Sequence, residues 1–457
     1  VNAEREAQWP AARLRRALIG LFAIGLIFST WMMTRAQFDG DALALVARGW
    51  LWIARDTFIP YGNSMSSGGK APGALTTILV GLPLRVWFDA RAPIVLIIVF
   101  DVIAYLLLVG ALRDVLTEAE QLLFCVFYWL SPWRLYHSGF LWNPNYLFLF
   151  GALHLWSARR LQRRRDGWGS FVHGLTPVLA FQLHASAVLL AIASTVLILR
   201  RCIRVAWPAL IAGVLVAALP LIPWALELRN HSSIASVQHG FPGRGALLIY
   251  PLLRGLIYIV RFPSLHVIVD MSTIDFVGAL GPLSDILVRW TLVFIIAVIG
   301  PFTVLLAIAA QWWFWRTEWR RPWRCREPIA DAREWLRAYL ASCLIAAVVT
   351  FGIAPTTPMH WQVLVIFHVA VLVPVLWLAA LSRAGFAGPV RRAVAAFAIL
   401  GGATTLGILF GSNHFRCGGA IPLNIPIRAD HPMLHELHVV DRCQYPIDPR
   451  GYWPDVF

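Results

Sequence analysis

The sequence predicts an all-α polytopic membrane protein with about eleven transmembrane helices, and three observations carry that reading. Apolar residues make up 59% of the chain and charged residues only 14%, with a mean hydropathy of +0.67, whereas soluble domains hold about 25% charged residues. Apolar blocks of about 15–22 residues recur along the chain, near the length a helix needs to cross a bilayer. Arginine clusters punctuate these blocks, as orientation signals do. The 22 tryptophans fit the same picture, because indole favours the membrane–water interface. A net charge of +15 could suggest nucleic acid, but the arginines sit in short clusters at the ends of apolar blocks, which argues for membrane orientation and against a nucleic-acid partner.

The spans fall at roughly 17–34, 93–112, 121–137, 145–158, 171–184, 186–199, 206–226, 289–313, 336–355, 362–381 and 393–411. Arg13, Arg15 and Arg16 precede the first block. It is long enough to stay as a helix and no small-residue cleavage site follows, so it reads as a retained span and not a cleaved signal peptide. One further apolar stretch, 74–88, is about 15 residues long, short of the ~20 needed to cross. Charge decides its placement. If it lies flat on the outer surface, the pieces 1–16, 113–120, 159–170, 200–205, 314–335 and 382–392 are cytoplasmic. They carry Arg159, Arg160, Arg163, Arg164, Arg165, Arg200, Arg201, Arg204, Arg316, Arg320, Arg321, Arg324, Arg326, Arg391 and Arg392. If it crosses, the later clusters move outside, against the positive-inside rule. The expected topology therefore has a cytoplasmic N-terminus and an external C-terminus. Residues 1–411 form the transmembrane unit, with external loops 35–92 and 227–288, and 412–457 form a short external tail. External loops of this length are usually functional. No internal repeat stands out, which weakens a transporter reading.

The first external loop opens on Phe38-Asp39-Gly40-Asp41, two carboxylates flanking a glycine where a helix leaves the membrane. Such a triplet reads either as a solvated turn or as a general base or metal-ligating acid in a cleft at the membrane surface. Residues 42–54 read as an amphipathic helix, ended by Pro60-Tyr61-Gly62. A Gly/Ser-rich loop follows with Lys70, the one lysine among 39 basic residues, and then Pro72 and the surface helix.

This order of acid pair, surface helix, cation-bearing loop, proline turn and surface helix resembles the GT-C membrane glycosyltransferases that use polyprenyl-phosphate sugars. The nearest resemblance is to the aminoarabinose transferase and protein mannosyltransferase branch. The resemblance implies a catalytic acid after the first span, here Asp39 or Asp41. It also implies a Lys-Pro-Pro-Leu-like segment opening a juxtamembrane helix, here Lys70-Ala71-Pro72-Gly73-Ala74-Leu75, in which Ala71 separates lysine from proline and Gly73 replaces the second proline. It extends to Trp142-Asn143-Pro144-Asn145-Tyr146, to Gln182-Leu183-His184-Ala185-Ser186 and to Pro223-Trp224 with Glu227, all at outer ends of expected spans. Asn143, Asn145, His184 and Glu227 are thereby expected to face the substrates. By the same resemblance the chain sits in a bacterial inner membrane and moves a monosaccharide, with inversion, from a polyprenyl phosphate to a periplasmic acceptor. That acceptor is lipid A, another envelope glycan, a lipid or a protein.

Displacement at a sugar carbon needs an acid to take the acceptor's proton and cations to stabilise the departing phosphate. Arg55, Lys70 and the middle-loop arginines Arg244, Arg254 and Arg261 are candidates for the cations. Lysine is a compact rotatable point charge where arginine is a planar fork. Tyr250 to Arg254 and Tyr258 to Arg261 set cations at helical spacing beside apolar residues, as in a lipid-phosphate pocket or in a surface helix with snorkelling arginines. His184 either bonds a neighbouring backbone group or touches substrate. Asp101, within a span, reads as a structural hydrogen-bond partner. Cys417 and Cys443 share the external tail, where a disulfide can form. His431, His435, Glu436 and His438 approach metal-ligand spacing but read as polar surface, and the sequence neither demands nor forbids a divalent metal. Two other classes stand beside the transferase: a flippase for a lipid-linked sugar, and a polymerase or ligase using diphosphate-linked oligosaccharides.

Overall fold

Long apolar blocks become long helices, and proline or glycine decides where they stop. The structure, a computed structural model, describes residues 11–34, 40–65, 69–230, 249–267, 282–320, 323, 329, 331–354, 357–411 and 431–439. Over these residues it is built of helices joined by turns and loops, with no strand beyond one isolated bridge between Ser64 and Lys70. The helices are α1 (Ala11–Met33), α2 (Gly40–Arg55), α3 (Leu75–Val86), α4 (Ala92–Leu112), α5 (Glu118–Phe124), α6 (Pro132–His137), α7 (Leu147–Arg160), α8 (Gly167–Leu183), α9 (Val188–Leu199) and α10 (Trp207–Ala218). They continue as α11 (Leu221–Asn230), α12 (Ile249–Arg261), α13 (Pro282–Phe294), α14 (Gly300–Glu318), α15 (Ala332–Gly352), α16 (His360–Val363), α17 (Phe367–Leu381), α18 (Ala387–Gly411) and α19 (Pro432–Glu436).

Among the described residues five helices are long and apolar enough to cross a membrane: Arg13–Met33, Ala92–Leu112, Trp290–Glu318, Ala332–Gly352 and His360–Leu409. The helices Trp207–Ala218 and Leu221–Arg229 reach that length and apolarity only together, and they are bent by 53° at the break between them. The 50-residue run from His360 would extend about 75 Å if straight. It turns at Gly385, whose φ of 96° is open to glycine and strained for other residues, so it comprises two helices. The span expected over 121–137 is not one helix. Ser131 takes an extended ψ of 129° ahead of Pro132, as steric clash with a following proline ring requires, and a π-helical turn at Cys125–Trp129 precedes the break. The stretch 74–88 forms the 12-residue α3, about 18 Å long and too short to cross.

The core centres on α17, whose residues from Phe367 to Leu376 are all buried, with α15 beside it. At one end of the bundle the arginine-rich connections lock together. Glu120 pairs with Arg333 and Arg383, Arg159 with Asp114, and Arg337 with Glu318. Arg200 donates to the carbonyls of Trp323 and Ala338, and Gln162 donates to the Ile329 carbonyl. Segments that the charge pattern assigns to one compartment are thus gathered at one end. The opposite end carries α2, α3, α12, α16, α19 and the turns at 143–146 and 185–187.

Inside a span, Asp101 is fully buried against Arg134 at 3.3 Å, and Arg134 also bonds Ser29 and the Trp129 carbonyl. This is the structural pairing expected of it. Cys125, Cys202 and Cys343 are buried. Cys325, Cys417 and Cys443 lie outside the described residues.

Candidate functional site

The site begins where α2 begins. Gly40 and Asp41 form its first turn, where exposed backbone N–H groups and the helix dipole favour an anion. Asp41 is half-buried. One carboxylate oxygen accepts the Trp142 indole N–H at 3.0 Å, and the Asn63 amide lies 3.4 Å from the other and 3.2 Å from the Asp41 carbonyl. Burial raises the Asp41 pKa, and the bonds from Trp142 and Asn63 together with the charge of Arg48 oppose that rise. Arg48, two turns further along α2, is 1% exposed and donates to the Tyr61 carbonyl at 2.7 Å. Burial lowers its pKa to about 10, so it remains a cation at neutral pH. Burial raises the Tyr61 phenol, Arg48 opposes this, and Glu227 on α11 adds to it. Glu227 is therefore within electrostatic reach of this group.

The lysine loop is tied to the same shell. Gly62 N–H donates to the Ala71 carbonyl at 2.8 Å and Ala71 N–H to the Asn63 carbonyl at 2.9 Å. Met65 N–H closes on Gly69, and the Lys70 ammonium donates to the Ser64 hydroxyl at 3.0 Å. Lys70 is thus one residue from the backbone ladder that holds Asn63 on Asp41. Gly73 anchors the other side of the loop. Its φ is 89°, and a Cβ there would stand 2.4 Å from the Gln182 amide oxygen. Ala74 N–H donates to the Pro220 carbonyl. Only glycine suits that position, which accounts for the departure from a second proline.

Trp142 leads from the acid into an aromatic cluster. Its ring lies parallel to His137 at 6.3 Å and edge-on to Trp361 at 4.9 Å. His360 sits 6.5 Å from Trp142, 5.2 Å from His137 and 5.9 Å from Tyr258 of α12. Tyr258 leads to Arg261, whose guanidinium lies 5.5 Å over its ring and donates to the carbonyls of His266 and Val267. Arg254, two turns earlier on α12, donates to Tyr250 and to the Met359 sulfur. A continuous line of contacts therefore runs from Asp41 through Trp142, His360 and Tyr258 to Arg261.

The residues expected from sequence divide accordingly. Asp41, Lys70, Glu227, Arg254 and Arg261 are gathered at this end of the molecule. Asn145 is fully buried and acts through His137, accepting from its Nδ1 side at 2.8 Å while donating to the Phe140 carbonyl. Asn143 is buried in the same turn. His184 bonds the Ser186 hydroxyl at 2.8 Å and accepts its backbone N–H. Burial lowers its pKa to about 4, so it is neutral, and its turn packs on α16 beside the aromatic cluster. Arg55 is not brought to the acid. It ends α2, about 21 Å along the axis from Asp41 at 1.5 Å per residue, and pairs with Glu436 of α19 at 3.3 Å. Asp39 and Arg244 lie outside the described residues. Sequence reasoning assigned no role to Arg48, Asn63, His137, His360 or Tyr258. An arginine inside an apolar helix was a signal for the first, and a His-Trp pair opening a span for His360. Among the described residues no group of three or more His, Cys, Asp or Glu could hold a metal ion.

Against known proteins, no family model and no curated protein matches the chain. Two solved structures do, both of ArnT from Cupriavidus metallidurans. The form bound to undecaprenyl phosphate aligns over 92% of this chain and 84% of its own, with a TM-score of 0.52 and 11% identity. The apo form aligns over 96% and 89%, with a TM-score of 0.55 and 11% identity. The chain therefore shares the arrangement of its helices with these structures and has the GT-C fold of ArnT.

Proposed function

We propose that this protein is a membrane glycosyltransferase that moves a monosaccharide from a polyprenyl phosphate to a hydroxyl of a cell-envelope acceptor. The carrying observation is the Asp41 carboxylate at a helix N-terminus, held by Trp142 and Asn63 next to a lysine loop and linked through Trp142, His360 and Tyr258 to Arg261 of α12. The ArnT likeness supports the lipid-phosphate donor, because one of the two matched structures is bound to undecaprenyl phosphate. In this reading Asp41 accepts the proton of the acceptor hydroxyl while that oxygen attacks the anomeric carbon. The bond to phosphate breaks, and its electron pair leaves on a phosphate oxygen held by Lys70, Arg254 and Arg261. A base raised above the ordinary carboxylate range is better matched to a hydroxyl proton than an exposed aspartate is. The site lies at the end opposite the arginine clusters, so the positive-inside rule puts transfer on the outer face of a bacterial inner membrane, with the N-terminus cytoplasmic. The acceptor is lipid A, a glycan, a lipid or a protein.

Asp39→Asn and Asp41→Asn, made singly and assayed for sugar transfer in membranes supplied with lipid-phosphate sugars, test the reading. Asp41→Asn is expected to lower transfer by about a hundredfold or more. Undiminished transfer in both variants removes the mechanism.

A further inference from the structure

Direct displacement places three atoms in a line: the attacking acceptor oxygen, the anomeric carbon and the departing phosphate oxygen. If the acid serves the first and a cation the last, the ring of the transferred sugar must lie between them. In this structure the side chains that link Asp41 to Arg261 are aromatic: half-buried Trp142, then buried His360 and Tyr258, in consecutive contact. Aromatic faces suit the apolar C–H faces of a sugar ring, and hydroxyl groups need polar partners at its rim. The cluster holds such partners unused. Asn145 donates its amide N–H to the Phe140 carbonyl, so its oxygen faces His137 as an acceptor and His137 Nδ1 must carry the proton. His137 Nε2 is then a bare lone pair, buried and without a partner among the described residues. His360 Nδ1 is likewise buried and unpartnered, on a ring 5.2 Å from that of His137. Buried polar atoms are nearly always bonded, and an orphan calls for a ligand or water. Trp361, half-buried and edge-on to both Trp142 and His360 at 4.9 and 4.8 Å, borders the cluster on its more open side.

We propose that Trp142, His360 and Tyr258 form the seat of the transferred sugar ring, and that His137 Nε2 accepts a hydrogen bond from one of its hydroxyls. The ligand class is a polyhydroxylated pyranose or furanose whose recognised group is a hydrogen-bond donor. This rests on the transferase reading and adds a substrate contact to it.

The experiment uses the full chain in nanodiscs with decaprenyl-phosphate-linked glucose, mannose and arabinose, then the single-deoxy analogues of whichever donor is used best. Removing one particular hydroxyl is expected to cost the wild type at least about tenfold in kcat/KM. In His137→Phe that penalty should fall to within about twofold, while KM for the parent donor rises. Trp361→Leu should raise KM with little change in kcat. Should His137→Phe fail to fold by thermal melting, His360→Phe carries the same double comparison. Active enzyme with identical deoxy penalties in the wild type and these variants overturns the subsite and leaves the transferase reading standing. No transfer from any donor by the wild type overturns both.

Discussion

Asp41 is held in two opposing ways, and the balance between them is measurable. Burial disfavours its charge, while the indole of Trp142, the amide of Asn63 and the nearby Arg48 favour it. Trp142→Phe keeps an aromatic face but deletes the N–H that bonds the carboxylate at 3.0 Å. The charged form then loses a partner, so the already raised pKa climbs further. A general base works only when ionised, so the acid limb of the kcat/KM profile should move to higher pH in Trp142→Phe and lose its Asp41 component in Asp41→Asn. An unmoved limb would separate Asp41 from the chemistry. Stability has the opposite sign. A carboxylate whose pKa is raised by folding weakens the fold above that pKa, and the penalty fades as pH falls through it. Asp41→Asn should therefore melt at the wild-type temperature or slightly above it at neutral pH, while losing activity.

At the scale of elements, α2 works as a strut with the acid at one end and a clip at the other. At the far end Glu436 accepts from the Trp50 indole at 2.7 Å and pairs with Arg55, and Met433, Leu434 and Leu437 of the α19 segment are buried in the core. Gly73 sets the companion loop. Gly73→Ala brings a Cβ to 2.4 Å from Gln182 at a φ of 89°, so it is expected to cost about 1–3 kcal/mol and to displace Lys70. A raised KM for the lipid donor, larger than for Gly68→Ala in the same loop, is the measurement. The two short helices after the first span were legible as helices, α3 by a length that falls short of a bilayer, but α2 is not the amphipathic surface helix expected, because the fold buries it on every side from Ala42 to Leu51. The break at Ser131 was not, because a hydropathy window averages over one proline although the Ser-Pro pair is itself a break signal. Arg55 was misplaced for a plain geometric reason. Fourteen residues look close in a loop but separate the ends of a helix by about 21 Å.

Across the whole molecule, charge foretold which connections meet better than it foretold the site. Arginine clusters assigned to one compartment do meet at one end, because a bilayer leaves them nowhere else to go. The cluster around Trp142, His137, His360 and Tyr258 stayed hidden because its members come from distant parts of the chain and only the fold brings them together. At the arginine-rich end Glu120 gathers three of these distant segments. It accepts from the Thr117 backbone as a helix cap and pairs with Arg333 and Arg383. Burial alone would raise its pKa, but Arg333, the Thr117 N–H and Arg383 more than offset this, so the folded value lies below the ordinary glutamate range. For a depressed carboxylate the stabilisation is fully present above the unfolded pKa of about 4.3 and is lost as pH falls through the folded value. Glu120→Gln keeps the shape and removes the charge. Because the Arg383 side chain is 56% exposed, solvent screens that arm and the loss should come mostly from Arg333 and the cap, about 2 kcal/mol at pH 7. Thermal unfolding in nanodiscs should show Glu120→Gln melting below the wild type at pH 7, with the gap closing below about pH 4 as the wild-type carboxylate protonates. A gap that persists at acid pH would mean that Glu120 holds the three segments by packing and not by its charge.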